Sequence, residues 1–186
     1  MTKKRSLGIC CEKRGATVVW STVALTDARF SLLRDLRQGA ILTAKMEEGS
    51  FNGMTVSWGG VGVLWGKNVM FFFVRPERYT FSLLTAGSAV TLSFFGETYR
   101  EVLRFYGKAS GRTVNKAEAC DLHPFTLPSG GIGYEEAERI LAGRLLYGAP
   151  LVREGILDGE IASFYTREGY HRVFIAEMAE IYENRA

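Results

Sequence analysis

The stretch from Phe51 to Thr80 constrains the fold most, because it alternates short apolar runs with glycines and ends in an Arg-Pro turn. Val69 to Val74 has no charge, is rich in β-branched and aromatic residues and is too short for a typical helix, so it predicts a buried strand. Met54 to Trp58 predicts a second short strand between glycine-containing turns. We expect a glycine-containing loop over Gly59 to Lys67 to join the two strands.

Two helices have clear start and stop signals in the sequence. The first is expected to begin after Thr26 or Asp27 and to end at Gly39. The second covers Glu97 to Tyr106, where apolar residues recur at helical spacing and Gly107 follows.

Weaker signals predict two short helices next to polar turns. Pro76 ends the buried strand, and Thr80 is expected to cap a helix over Phe81 to Ala86. Thr113 is expected to cap another short helix after the polar loop from Lys108 to Arg112.

The remaining segments are mainly strands. Ala40 to Ala44, Ala89 to Phe95 and Tyr170 to Tyr182 each predict a strand, and Gly130 to Gly133 is expected to be a flexible link. From Glu135 to Leu146, periodicity and propensity favour a helix, and a strand is the alternative. Many short strands, few helices and no internal repeat predict a mainly β fold, an antiparallel barrel that is closed or nearly closed.

Composition restricts the class of protein. The chain has 186 residues, 47% of them hydrophobic and 23% charged, which suits one soluble domain. Its formal charge is +3, but five cationic residues against one acidic residue put +4 into the first fifteen positions and leave about −1 for the rest. The folded body is therefore not basic, which argues against a nucleic-acid partner.

Cysteine and hydropathy patterns bear on the compartment. The three cysteines have no disulfide or metal-ligand spacing, so we expect reduced thiols, no metal site and a cytoplasmic location. No run reaches the roughly twenty apolar residues of a membrane span. Residues 1–25 lack periodicity and are expected to be an N-terminal extension to a single domain over residues 26–186, with an arm, a mobile tail and an upstream extension as the alternatives.

Five motifs occur in a characteristic order: NGMTVSWG, VLWGK, RPERYT, LSFF and GKASGR. In this order they resemble the flavin reductase-like family of FMN-binding split-barrel proteins, which includes flavoredoxins and NAD(P)H:flavin oxidoreductases. The resemblance covers roughly Leu36 to Tyr182. It implies a split barrel of antiparallel Greek-key type with a few flanking helices, FMN as cofactor and a homodimer. It also favours a strand over Glu135 to Leu146, where Gly143 is a poor interior helix residue.

The resemblance implies that the segment from Asn52 to Trp58 runs along the isoalloxazine ring. The ring-side candidates are Asn52, Met54, Thr55, Val56, Ser57 and Trp58. The alternative interpretation is that the hydroxyl groups are ordinary strand side chains and that Trp58 is a core residue.

The second group of candidates belongs to the phosphate end of FMN. Two arginines beside a predicted helix start can bind phosphate, because guanidinium groups offer paired donors and helix N-termini offer free N–H groups. The candidates are Arg75, Arg78, Tyr79, Thr80, Lys108 and Ser110; the resemblance places the last two near the phosphate. Surface arginines and a solvated turn are the alternatives.

No residue is a certain catalytic group. His171 is a candidate for the nicotinamide side of the flavin, because imidazole titrates near neutral pH, although a packed or surface histidine is the alternative. The resemblance implies an oxidoreductase that passes hydride from NAD(P)H to FMN and on to a small-molecule or redox-protein acceptor. A flavoredoxin-type electron carrier with tightly bound FMN and a non-catalytic flavin- or heme-binding module are the alternatives.

Overall fold

The computed structural model describes residues 9–13, 16–23, 32–45, 50–165 and 169–184. Within these ranges, nine strands form one antiparallel sheet and two form a small hairpin. The sheet strands are β1 (Ile9–Lys13), β2 (Ala16–Val23), β3 (Ala40–Lys45), β4 (Phe51–Val56), β5 (Gly59–Leu64), β6 (Lys67–Val74), β7 (Ala89–Phe94), β10 (Arg139–Pro150) and β11 (Arg172–Asn184), and the hairpin strands are β8 (Pro124–Thr126) and β9 (Ile132–Tyr134).

Short helices connect these strands. The α-helices are α1 (Leu32–Gln38), α2 (Arg100–Lys108), α3 (Lys116–Ala119) and α4 (Gly159–Phe164), and 3₁₀ turns cover Tyr79–Leu83, Glu97–Tyr99 and Arg153–Gly155. In the described ranges no helix has the length and apolar character needed to cross a membrane.

The long strand β11 determines the shape of the sheet. It pairs with β10 along most of its length, with β6 near its start and with β2 at its end. From β10 the order continues through β7 and β3 to β4, while β5 extends the other side through β6. The strands β4 and β5 stand at the two ends of this order and follow each other in the chain without pairing, so the barrel is open between them. The predicted mainly β, antiparallel split barrel is confirmed.

The prediction of a loop over Gly59 to Lys67 is wrong. These residues form β5 and a tight turn into β6, with Leu64 paired to Lys67. Trp65 and Gly66, the two turn residues, have φ angles of 53° and 67°. Positive φ at both central residues is the geometry of a two-residue hairpin turn.

The two longer helices agree with their predictions. α1 ends just before Gly39, while its expected caps Thr26 and Asp27 lie outside the described residues. The helix predicted over Glu97 to Tyr106 is present as a 3₁₀ turn followed by α2. Gly107 lies within α2 instead of after it.

Both short-helix predictions need correction. Phe81 to Ala86 is not an α-helix; a 3₁₀ turn begins at Tyr79 instead, and Thr80 lies inside it. α3 begins at Lys116, where the Asn115 side chain accepts a hydrogen bond from a backbone N–H group. Thr113 lies two residues before this cap, and its hydroxyl donates to the backbone carbonyl of Ser110 instead.

The contested segment from Glu135 to Leu146 is a strand from Arg139 onward, as predicted. A register shift lies between Ala142 and Gly143, where β10 bends along β11. The strands predicted over residues 40–44, 89–95 and 170–182 are also present. Gly130 to Gly133 is more ordered than a flexible link, since β9 begins at Ile132.

Buried apolar side chains of the described residues form two clusters on opposite faces of the sheet. Leu42, Phe72 and Phe174 belong to the cluster inside the barrel. Ile41, next to Leu42 in β3, belongs to the cluster outside, beneath α2 and α3. Because successive strand residues face opposite sides, the alternating sequence supplies both cores at once.

The N-terminal segment adds strands that the sequence did not predict. β2 pairs with the end of β11, and Trp20 is fully buried in the outer core. The described part of this segment is therefore held in the sheet, while the domain boundary near residue 25 stays a prediction.

Candidate functional site

A slot lies at the opening of the barrel, beside the ends of β4 and β6. Its volume is about 250 Å³. It is bounded by the end of β4, the end of β6, α2 and the residue before β11. The residues that line it are Met54, Thr55, Val56, Ser57, Trp58, Phe73, Arg75, Arg78, Gly107 and His171. The slot therefore brings five of the six ring-side candidates together with His171.

The floor of the slot is apolar and its edge is polar. Met54 and Val56 are buried, whereas Ser57 is exposed just beyond the end of β4. The hydroxyl of Thr55 donates a 2.6 Å hydrogen bond to the backbone carbonyl of Leu103, so its oxygen is left only as an acceptor for a ligand. Ser57 is the more available hydroxyl of the two.

Trp58 and His171 form an aromatic wall of the slot. Their ring centroids are 4.6 Å apart, and Trp58 remains 45% exposed, so it is not a core residue. The hydroxyl of Tyr165 lies 3.1 Å from Nδ1 of His171 and holds the ring. Burial, and then the nearby Arg75 guanidinium, lower the pKa of His171 below its usual value of 6.5, while Glu77 opposes this effect. His171 is therefore neutral at pH 7.

A second, smaller cavity adjoins the slot, and Met54 and Arg78 line both. Its volume is about 130 Å³. It is lined by Asn52, Met54, Glu77, Arg78, Tyr79, Thr80, Lys108, Ala109, Ser110, Gly111 and Lys116. This phosphate-side cavity brings together two loops that lie about thirty residues apart in the chain.

Hydrogen bonds fix the orientation of its polar side chains. Asn52 donates a 2.7 Å bond to the hydroxyl oxygen of Thr80, both residues being buried. Arg78 donates a 2.6 Å bond to the carbonyl of Gly107, which anchors the guanidinium to α2. Since the Thr80 oxygen accepts from Asn52, its hydrogen can point toward a ligand.

Lys116 is a site residue that sequence reasoning missed. It is buried, and its Nζ donates to the carbonyls of Gly53 at 2.7 Å and Tyr106 at 3.2 Å. Burial, and then the nearby Arg78 guanidinium, lower the pKa of Lys116 from 10.5 to about 8. A lysine in a short polar segment normally extends into solvent, so only its place behind β4 identifies it.

The donors in the phosphate-side cavity fit a phosphate group. Among its described lining residues, Arg78, Lys108 and Lys116 are cationic and Glu77 alone is acidic. Thr80 and Ser110 add hydroxyl groups. Cations with neighbouring hydroxyls can make several charge-assisted hydrogen bonds to one phosphate.

Other candidates lie elsewhere. Arg75 lines the slot instead of the phosphate-side cavity, with its guanidinium 3.8 Å from the carboxylate of Glu77. The guanidinium of Arg112 lies 4.7 Å from the ring centroid of Tyr79, which lines the phosphate-side cavity. His123 lies outside these cavities and makes a 2.7 Å pair with Glu136, and Glu135 lies close to both.

No protein-family model matches the chain. No curated protein matches it by sequence.

Solved structures nevertheless share its fold. An FMN-binding protein from Thermus thermophilus with bound 1-cyclohex-2-enone is 20% identical, with a TM-score of 0.60 over 78% of this chain and 69% of that chain. A flavoredoxin from Methanosarcina acetivorans is 16% identical, with a TM-score of 0.62 over 79% and 68%. The FMN-binding domain of a flavin reductase-like enzyme from Shewanella baltica is 14% identical, with a TM-score of 0.59 over 89% and 77%.

Sequence identities of 14% to 20% are too low to assign the function of these proteins to this chain, but the superpositions span most of each chain. The TM-scores of 0.59 to 0.62 show a shared overall fold. The chain therefore has the split-barrel fold of these FMN-binding flavin reductase-like proteins and flavoredoxins.

Proposed function

We propose that this protein is an FMN-binding oxidoreductase that passes hydride from NAD(P)H to FMN and electrons on to an acceptor. The observation that carries the proposal is the continuity of an aromatic-walled slot with a small cationic cavity through Met54 and Arg78. A flat ring with a phosphate-bearing chain requires this pairing of surfaces. The split-barrel fold, shared with an FMN-binding protein and a flavoredoxin, supports it.

The phosphate-side cavity would hold the phosphate of FMN. Arg78, Lys108 and Lys116 would balance its charge, and Thr80 and Ser110 would donate hydrogen bonds to its oxygens. Asn52 keeps the Thr80 hydroxyl in position. Since each of these groups is a donor, the cavity should prefer FMN to riboflavin strongly.

The slot would hold the ring along the backbone from Met54 to Trp58. When bound, FMN supplies the hydride and electron chemistry, while the protein contributes orientation and electrostatics. Trp58 and His171 would exclude water from one side of the slot. Neutral His171 can hold or accept a proton at its free ring nitrogen, since its other nitrogen contacts Tyr165.

The proposal includes a homodimer, as the sequence resemblance implies, and a cytoplasmic location, as the cysteine pattern predicts. Light scattering on the purified protein tests the dimer directly. A monomer that still binds FMN would remove the dimer from the proposal and leave the site in place.

A flavoredoxin-type electron carrier is the second candidate function. At the edge of the slot, Trp58 and Phe164 expose 45% and 68% of their surface, with ring centroids 6.3 Å apart. Exposed aromatic groups of this kind suit a protein surface that docks another redox protein.

Absorbance spectra separate the candidate functions. The purified protein is titrated with FMN and riboflavin, and the FMN complex is then mixed anaerobically with NADH or NADPH. Rapid bleaching by either nucleotide supports the oxidoreductase, and bleaching only by a reduced protein donor supports the carrier. Tight FMN binding without reduction by any donor would leave a binding module, and absence of FMN affinity would contradict all flavin-based functions.

A further inference from the structure

A third concavity lies between α1 and α2, beside the slot. Its volume is about 990 Å³, at the upper end of the range of about 300–1,000 Å³ for small-molecule sites. We call it the basic groove. It is lined by Leu33, Arg34, Arg37, Gln38, Thr55, Ser57, Glu97, Arg100, Leu103, Arg104, Gly107 and Lys108.

The charge of the groove is strongly positive. Its described lining residues include four arginines and one lysine against the single carboxylate of Glu97. The formal charge of the whole chain is +3. The first fifteen residues carry +4, so the rest of the chain carries about −1. The lining side chains therefore carry a formal charge of +4, and Asp35 and Glu101, which lie outside the lining, pair with two of the arginines.

The cations of the groove are available to a ligand. Arg37 and Lys108 form no ion pair with any residue in the part of the chain that the structure describes. Arg34 pairs with the partly buried Asp35 at 3.1 Å, whereas the pairs of Arg100 with Glu97 at 3.4 Å and of Arg104 with Glu101 at 2.5 Å are exposed. Exposed pairs of this kind contribute only about 0–1 kcal/mol, so an anion can replace the carboxylate as partner.

The walls of the groove are fixed and partly apolar. The side-chain amide of Gln38, at the end of α1, donates a 3.2 Å bond to Glu97, which precedes α2. Leu33 is 79% exposed on α1, and Leu103 lies buried in the opposite wall. A flat apolar group can therefore bind beside the cations.

The groove opens directly onto the slot. Thr55, Ser57 and Gly107 line both. Lys108 connects the groove with the phosphate-side cavity. A ligand in the groove would consequently lie next to the ring in the slot.

We infer that the basic groove binds a nucleoside diphosphate group, with its phosphates on the arginines of α1 and α2 and its base against Leu33. Two phosphates match several separated guanidinium groups, which make paired charge-assisted hydrogen bonds. That this group belongs to the molecule exchanging electrons with the flavin rests on the proposed function; binding of the diphosphate itself does not.

The test is calorimetric titration of the full chain, first loaded with FMN so that the phosphate-side cavity is filled. ADP is the probe and adenosine the uncharged comparison. The double variant Arg37→Gln, Arg100→Gln is compared with the control Arg153→Gln, an exposed arginine outside the groove.

We expect the double variant to bind ADP about tenfold or more weakly, as when a charge-assisted hydrogen bond is lost, with the control unchanged. ADP affinity should also fall with added salt, and adenosine should bind far more weakly. Equal ADP affinity in all three proteins, or no ADP binding by the parent chain, would overturn the inference. FMN binding is measured first in each protein. If FMN does not bind, the flavin proposal fails by itself, and ADP binding is then compared in the FMN-free proteins.

Discussion

Lys116 is the residue whose charge matters most to the phosphate-side cavity. In the folded protein its pKa is lowered to about 8, chiefly by burial. The unfolded chain keeps the lysine protonated to about pH 10.4, so it binds more protons than the native state between these values. The free protein should therefore gain stability from Lys116 as pH rises from about 8 to 10, because the buried charge is relieved.

Binding of FMN should show the opposite pH dependence. A phosphate beside Lys116 favours its charged form and raises its pKa, so FMN affinity should fall as pH rises through about 8. A rise of one pKa unit corresponds to about 1.4 kcal/mol, or about tenfold in affinity. Riboflavin, which lacks the phosphate, should show no such trend.

Fluorescence titrations of FMN and riboflavin at pH 7 and pH 9 measure this effect. Lys116→Met should bind FMN weakly at both pH values, with the pH dependence lost, while Lys116→Arg should retain tight binding at both. If Lys116→Met keeps the parent pH dependence, Lys116 is a structural lysine and not part of the phosphate site.

The pKa values of the two histidines should be shifted in opposite directions from the usual value of 6.5. A hydrogen bond from the ring of His123 to the Glu136 carboxylate raises the pKa of His123 above 6.5, whereas burial and then Arg75 lower that of His171. Glu136→Gln should bring His123 back toward 6.5, and Arg75→Gln should raise the pKa of His171. NMR titration of the imidazole carbons follows both groups, and each variant serves as the control for the other. Identical titration of the two rings would contradict these environments.

Among the strands, β10 contains a glycine, Gly143, at which the backbone of β11 comes very close. A Cβ atom on Gly143 would lie 2.1 Å from the carbonyl oxygen of Glu177 in β11, at the register shift. Gly62 in β5 offers a matched control, since a Cβ there meets no described atom within 4 Å. Gly143→Ala should destabilise the protein by about 1–3 kcal/mol through a forced backbone shift, whereas Gly62→Ala should change stability by less than about 0.5 kcal/mol.

Urea unfolding followed by circular dichroism measures both glycine variants. If the two substitutions have the same small effect, β10 and β11 can separate without cost and the register shift is not a fixed feature. A large loss for Gly62→Ala alone would place the rigid contact in the β5–β6 hairpin instead.

The same strands show which elements the sequence could predict. β3, β7 and β11 carry alternating or β-branched residues, so their local pattern is sufficient. β5 was missed because three of its six residues are glycine, which weakens any strand signal. In β10, local periodicity favoured a helix, and pairing with β7 and β11 decides for the strand.

The site was predictable to the extent that it lies in contiguous motifs. The slot and the phosphate-side cavity use the segments around Met54, Arg78 and Lys108, which the motif order identifies. Lys116 carries no such signal, because its burial arises only when α3 packs behind β4. The basic groove joins two helices about sixty residues apart, so no local pattern reveals it.

At the scale of the whole molecule, one sheet separates two cores and leaves the slot at its opening. β11 holds this arrangement together because it pairs with β10, β6 and β2. The local sequence predicts that β11 is a strand, but it cannot show that this strand pairs with three others. The inner core supports the floor of the slot, whereas the outer core supports α2 and α3, which carry its cationic side.

The N-terminal segment should contribute to this outer core through Trp20. The indole is fully buried and packs 5.9 Å from the ring of Phe125. Trp20→Ala should lower the free energy of unfolding by about 3–5 kcal/mol, the usual cost of truncating a buried aromatic residue. Trp65→Ala is the control, since this indole is 59% exposed in the β5–β6 turn and should matter little.

Urea unfolding followed by circular dichroism compares the two tryptophan variants without relying on indole fluorescence. Equal stability of Trp20→Ala and the parent would support residues 1–25 as an extension to the domain, as the sequence predicts. A large loss would instead make β2 part of the folded domain. FMN affinity should survive in the folded fraction of Trp20→Ala, because Trp20 lines neither the slot nor the phosphate-side cavity.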